Sequence, residues 1–241
     1  MKIQSKFNQK GVTLIELLVA LVIAAITLAG VYRVFISQTR SYAVQDQVME
    51  VQQSVRSAME ILLRDLRMTG FDDDNPNSDV TIANPLAPVQ TGDITINYEY
   101  YRRNDNPAIT EAQKYESHQV RYWRDATNPN NPILRRMITV ASGLTNGVTT
   151  ETILENVFAL TFTYGVDLNN DGIMDDQNAN GQIDANDWRT AAQVVALGNP
   201  RVVAIMVTLT GRSDQTNVDV SKVVSPRTLV SAVTLRNLSL R

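Results

Sequence analysis

The 241-residue chain has no cysteine, one histidine and two tryptophans, and its first proline is Pro76. Without cysteine there is no disulfide scaffold, no thiolate zinc site and no cysteine nucleophile. A domain of this size buries enough surface to stand without staples, so the absence does not argue against an extracytoplasmic location. It does leave open what pins the loops. The lone histidine, His118, leaves little for the commonest general-base and metal chemistry. Positive charge is not in excess either: the formal charge is −3. Arg102-Arg103 and Arg135-Arg136 are short, separate pairs rather than a basic stripe, so nucleic acid is not an expected partner. No nucleophile–base pair or catalytic metal spacing is present, and the chain reads as non-enzymatic.

What is present begins at the N-terminus. Val12 to Val31 reads VTLIELLVALVIAAITLAGV, with Glu16 its one charge. Twenty helical residues span about 30 Å, the thickness of a bilayer's hydrocarbon. Lys2, Lys6 and Lys10 precede the run, which puts the N-terminus in the cytoplasm and the rest outside. A secretory signal peptide would have a shorter apolar core followed by a small-residue cleavage site, for which only Ala24-Ala25 or Ala29-Gly30 would serve. A plain signal anchor has no use for Glu16, since an ionisable group in an apolar run costs roughly 2.5–3.5 kcal/mol and marks function.

KGVTLIELLVALVI, residues 10–23, resembles the class III signal of type IV pilins and type II secretion pseudopilins. The resemblance implies that a prepilin peptidase cuts after Gly11 and that the new N-terminus, Val12, is methylated. The family glutamate, fifth in the mature chain, falls on Glu16. Its implied role is to pair with a neighbouring subunit's N-terminal amine in an apolar filament core. Phenylalanine is the commonest first mature residue in the family, and Val12 departs from it. Cleavage would remove three lysines and shift the formal charge from −3 to about −6.

Helical periodicity resumes after Arg33, Ser37, Gln38 and Arg40. Val44, Val48, Val51, Val55, Ala58, Met59, Leu62 and Leu66 make an apolar stripe along one helix face. From Val12 to Met68 there is one glycine, Gly30, and Gly70 supplies a C-cap before the turn chemistry of Asp72–Pro76. The pattern predicts one helix of about 57 residues, roughly 85 Å long. The stripe is expected to pack on the downstream domain rather than form a free coiled coil.

Beyond it, Ile94, Ile96, Tyr98 and Tyr100 alternate, as do Val120 and Tyr122, and residues 151–164 end in another alternating stretch. Residues 201–210 and 229–235 are rich in β-branched side chains. Short turns between strands favour an antiparallel sheet and an α+β head. His118, Trp123 and Trp188 read as structural residues. ILLRDLRMTGF, ENVFALTFTYG and SPRTLVSAVTLRNL look like PilW-type minor pilins, with the J-class secretion pseudopilin as a close relative.

Residues 167–187, DLNNDGIMDDQNANGQIDAND, hold six aspartates and no Lys or Arg. Two calcium-loop registers overlap in them. In the first, Asp167, Asn169 and Asp171 take positions 1, 3 and 5, Gly172 makes the turn and Asp175 stands at position 9. In the second, Asp176, Asn178, Asn180, Gly181 and Asp184 repeat the pattern, and Asp187 stands at position 12. A hard cation wants six to eight oxygens, which alternate side chains in a tight turn supply. A solvated acidic loop is the plainer alternative. Calcium is the expected cofactor, and a calcium clip would pin the loop in place of a disulfide.

The expected organisation is a leader (residues 1–11), a membrane and assembly helix (12–35), its amphipathic continuation (36–70) and a β-rich head (71–241). The family resemblance implies a pilin-like fold with the long helix packed on an antiparallel sheet, and a minor pilin that copolymerises into a type IV pilus and helps to initiate it. It further implies prepilin peptidase, other major and minor pilins and the inner-membrane assembly platform as partners. The protein would sit in the inner membrane with its head in the periplasm, then in the pilus. A secretion pseudopilin and a calcium-dependent tip adhesin are the alternatives.

Overall fold

The computed structural model describes residues 11–72, 75–82, 84–87, 90–142, 146–213 and 224–239. Leader residues 1–10 and the expected turn residues Asp73 and Asp74 lie outside that set. The chain divides into two compact units, Met1–Asp46 and Gln47–Arg241, and the division falls inside the first helix.

That helix, α1, runs Leu14–Arg67 without a break, 54 residues where the periodicity predicts about 57. In the first unit its apolar side chains are exposed on every face; Leu14, Ile26 and Leu28 each show two-thirds or more of their surface. This stretch is long and apolar enough to cross a membrane.

In the second unit the same helix has a buried stripe: Val51, Val55, Ala58, Met59, Leu62, Leu63 and Leu66. Packing therefore starts at Val51, whereas Val44 and Val48 are only half-buried. Gly211 allows the close approach, because a Cβ there would lie 2.5 Å from Val55 Cγ2. The helix ends as expected, with Gly70 at φ 70° and its N–H donating to Asn97 O at 2.9 Å.

The β structure forms two antiparallel sheets, not one. The first has five strands in chain order: β1 (Leu86–Ala87), β2 (Asp93–Tyr101), β3 (Tyr115–Asp125), β4 (Ile133–Ser142) and β5 (Gly147–Leu154). The second has three: β6 (Val157–Asp167), β7 (Arg201–Gly211) and β8 (Arg227–Thr234). Alternation in single strands reports a buried face but not which strand lies alongside, so the sheet count was not readable from it. Ile94, Ile96, Val120 and Tyr122 from the first sheet share one core with Phe162, Tyr164, Ile205, Val207 and Leu209 from the second and with the α1 stripe. Each such side chain contributes about 1.5–3 kcal/mol by leaving water.

The β6–β7 connection carries the acidic segment and a short helix, α2 (Ala191–Ala196), which the sequence pattern did not predict. Thr190 caps it, with Gln193 closing a capping box. A last short helix, α3, is Arg236–Ser239.

Candidate functional site

Gly11, Val12 and Thr13 precede α1 as exposed, non-helical residues. A Cβ on Gly11 would meet nothing within 4 Å, so packing within the chain does not require glycine there. Thr13 is the residue before the helix, and Glu16 is at the third helical position. The Thr13 backbone N–H and hydroxyl both donate to Glu16 Oε2 at 2.9 Å, and the Glu16 N–H donates back to Thr13 Oγ1 at 3.3 Å. This is a capping box. It places the carboxylate at the positive end of the helix dipole, against Thr13, the residue that follows Val12. The T-x-x-E spacing signals it in the sequence.

The acidic segment starts where β6 ends, at Asp167. It folds as two turns of the same shape, nine residues apart. Asn170 and Ala179 have φ of 61° and 56°, and Gly172 and Gly181 both have 84°. Glycine suits its position because other residues rarely adopt that region. In the first turn Asp167 accepts from the backbone N–H groups of Asp171 and Gly172, at 3.2 and 2.9 Å. In the second, Asp176 accepts from Gly181 at 2.5 Å. Asn169 accepts from Asp171 and Asn178 from Asn180, at 2.9 and 3.1 Å. Asp171 and Asn180 each accept from the residue two further on, both at 2.8 Å. All six first-, third- and fifth-position side chains thus turn inward on their own loop.

The remaining predicted residues tie the turns together. Asp175 accepts from Leu168 N–H at 2.6 Å. Asp187 accepts from Gln177 and Asp184 N–H at 2.8 and 2.6 Å, which brings the end of the second register onto its start. Asp184 accepts from Asn186 N–H at 2.7 Å and from the Asn180 amide at 2.8 Å. Those donations, the backbone one first, hold its carboxyl below the usual carboxylate range. Asp167 and Asp187 are almost wholly buried, at 1% and 0% exposure. The Arg201 guanidinium lies 3.7 Å from Asp167. Met174 lies against Gly165 on the second sheet, where a Cβ would come within 2.5 Å of its sulfur. Among the described residues no three His, Cys, Asp or Glu side chains are grouped so as to hold a metal by themselves.

Sequence reasoning missed the polar centre of the head. Asp65, on the buried side of α1, accepts from Tyr122 Oη at 2.6 Å and from Arg136 Nε at 2.7 Å. Arg136 also donates to Glu151 at 2.6 Å. Burial first, then the adjacent Asp65 charge, pushes the Tyr122 hydroxyl well above the usual tyrosine range. His118 sits half-buried between the rings of Tyr98 and Tyr100, centroids 5.4 and 5.2 Å away, with Nε2 3.0 Å from Glu116. It is a packed residue of the head, as expected from the sequence.

Two known families match. The prokaryotic N-terminal methylation motif matches residues 6–32, which takes in Gly11, Val12, Glu16 and the exposed start of α1. The type IV pilus-assembly protein W family matches residues 115–236, about half of the chain, from the first residue of β3 to the first of α3. It covers the ENVFALTFTYG strand, the acidic segment and most of SPRTLVSAVTLRNL; ILLRDLRMTGF lies outside it. No curated protein matches the chain.

Proposed function

The chain belongs to the type IV pilus-assembly protein W family and carries a prepilin methylation signal, and from that premise we propose that it is a minor pilin. Prepilin peptidase cuts after Gly11, Val12 is methylated, and the exposed half of α1 moves from the inner membrane into a filament. There it copolymerises with other pilins on the assembly platform and helps to initiate the pilus. The observation that carries this reading is the pairing of an all-round apolar helix with one carboxylate at its third position. In a filament core an isolated charge is expensive, so Glu16 needs a cation, and a neighbour's N-terminal amine supplies one.

The test is composition. Pili sheared from cells carrying the full chain should contain it together with other pilins, and cells lacking it should make few pili. Its recovery with secretion-system subunits and normal piliation in its absence would favour the pseudopilin reading.

The acidic segment is proposed to bind calcium. Its donor set of carboxylate and amide oxygens in two glycine-hinged turns suits a hard cation. Because carboxylates alone do not gather in threes, the ion would draw also on Asn169, Asn178, Asn180 and backbone carbonyls. The residues proposed to hold it are Asp167, Asp171, Asp175, Asp176, Asp184 and Asp187 with those asparagines. Bound calcium would relieve repulsion among carboxylates and fix the β6–β7 connection. Calorimetry on the full chain in detergent tests this, and no heat on adding calcium would defeat it.

A further inference from the structure

Between the first packed turns of α1 and the ends of β5, β6 and β7 lies a groove of about 690 Å³. One wall is Gln47, Glu50, Ser54 and Ser57, which recur at spacings of three and four and so share a helix face. That face runs beside the buried stripe, whose Val51 and Val55 line the groove together with Gly211. The opposite wall is Asn131 from the loop before β4, Glu155 and Asn156 from the β5–β6 turn, and Arg212 after β7.

The opposite wall is fixed by its own hydrogen bonds. Asn156, at φ 55°, donates its N–H to Asn131 Oδ1 at 3.0 Å and accepts from Arg212 N–H at 3.0 Å. Arg212 Nη2 donates to Asn130 O at 2.8 Å and to Pro129 O at 3.4 Å. Such a wall holds its polar groups in place before a ligand arrives.

Two polar atoms of these walls have lost water and gained no partner. Arg212 Nε and Gln47 Oε1 are both buried without a hydrogen bond. Leaving a buried polar group so is costly, and more costly when it is charged. The side-chain bonds of Arg212 go to neutral carbonyls, and no carboxylate among the described residues lies within ion-pair distance of it. The walls therefore need an acceptor, best an anionic one, at Arg212 and a donor at Gln47. Glu50 and Glu155 are exposed and form no ion pair among the described residues.

Those needs define the occupant. A carboxylate matches the guanidinium fork, an amide N–H satisfies Gln47, and a cation suits the two exposed glutamates. No aromatic ring is among the described lining residues, so the stacking platform that planar bases use is missing. The volume falls within the range of about 300–1,000 Å³ found for ligand sites. We propose that the groove binds a short peptide with a free C-terminus. Its terminal carboxylate sits on Arg212, a backbone N–H donates to Gln47 Oε1, and a basic side chain lies against Glu50 and Glu155. The proposal stands whether or not the chain is a minor pilin.

The experiment is calorimetric titration of the full chain in detergent, at low salt, with the peptide Gly-Gly-Lys-Ala-Ala. The expected result is one-to-one binding with a dissociation constant of about 1 mM or below. Amidating the peptide's C-terminus, or the variant R212Q, should each weaken binding about tenfold or more, the worth of one charge-assisted hydrogen bond. The double variant E50Q/E155Q should weaken binding of this peptide and leave one with alanine in place of lysine unaffected. Where R212Q also lowers the melting temperature, S57W, which fills the groove from the exposed helix face, carries the same expectation. Equal affinity for the free acid and the amide, or no saturable heat with the free acid, would overturn the proposal. Binding that persists unchanged in both R212Q and S57W would overturn it as well.

Discussion

Two stretches of α1 use nearly the same apolar residues for opposite ends. Residues 14–31 are, Glu16 apart, apolar around the whole circumference and exposed on every side, whereas residues 51–66 are apolar along one stripe, and that stripe is buried. A helix apolar all round has no partner within its own chain and needs lipid or other subunits; a striped one packs on its own domain. The charges divide the same way. Glu16 turns back on Thr13 at its own helix start, while Asp65 has a cation, Arg136, within the head. On the proposed reading the first half of the helix serves assembly and the second serves folding.

That division can be broken in either half. The largest effect is expected from E16A, which leaves a neighbour's amine unpaired in the filament core. Losing one partner of a buried pair costs about 3–5 kcal/mol, so incorporation into sheared pili should fall at least about a hundredfold. The melting of the full chain in detergent should not change, and a parallel drop in melting would contradict the division.

D65A should do the reverse. It leaves the Tyr122 hydroxyl without its acceptor and Arg136 with Glu151 as its remaining carboxylate, so stability should fall by about 3 kcal/mol in denaturant titration. L66A should cost about 2–5 kcal/mol through the cavity it leaves. In both, a mass measurement should still find peptidase processing at Gly11 intact.

A smaller effect separates the two turns of the acidic segment from the rest of the head. With calcium at a hundredfold excess over its dissociation constant, the folded state gains about 2.7 kcal/mol. For a head of this size that is roughly 5–10 °C in melting temperature. Chelation should reverse the shift, and D187N should remove most of it. The smallest effect is expected from T13V, which removes one capping oxygen and costs about 1 kcal/mol, confined to the first turn. Hydrogen exchange at residues 14–17 should quicken while the head is unchanged.

Much of this was legible in the sequence because it is local. The long helix and the glycine that ends it depend on residues three or four apart, and the structure has the helix within two residues of its expected bounds, while its buried stripe starts at Val51 rather than Val44. The paired turns at residues 167–187 were legible for the same reason, since the Asx contacts within each turn span two to five residues. What escaped notice is nonlocal. Asp65 meets Arg136 across 71 positions, and a charged residue inside a stripe cannot announce a partner so distant. The division into two sheets was hidden because β5 and β6 are successive strands that do not pair. The Thr13 cap is local as well, a T-x-x-E spacing at the start of the apolar run.

The central claim is that α1 begins, in the working protein, at a processed end beside Glu16. Intact-mass and N-terminal fragment analysis of the native chain from pilus-assembling cells tests it most directly. The account predicts a chain that starts at Val12 and carries one methyl group on its amine. A chain that still starts at Met1 in those cells would contradict it.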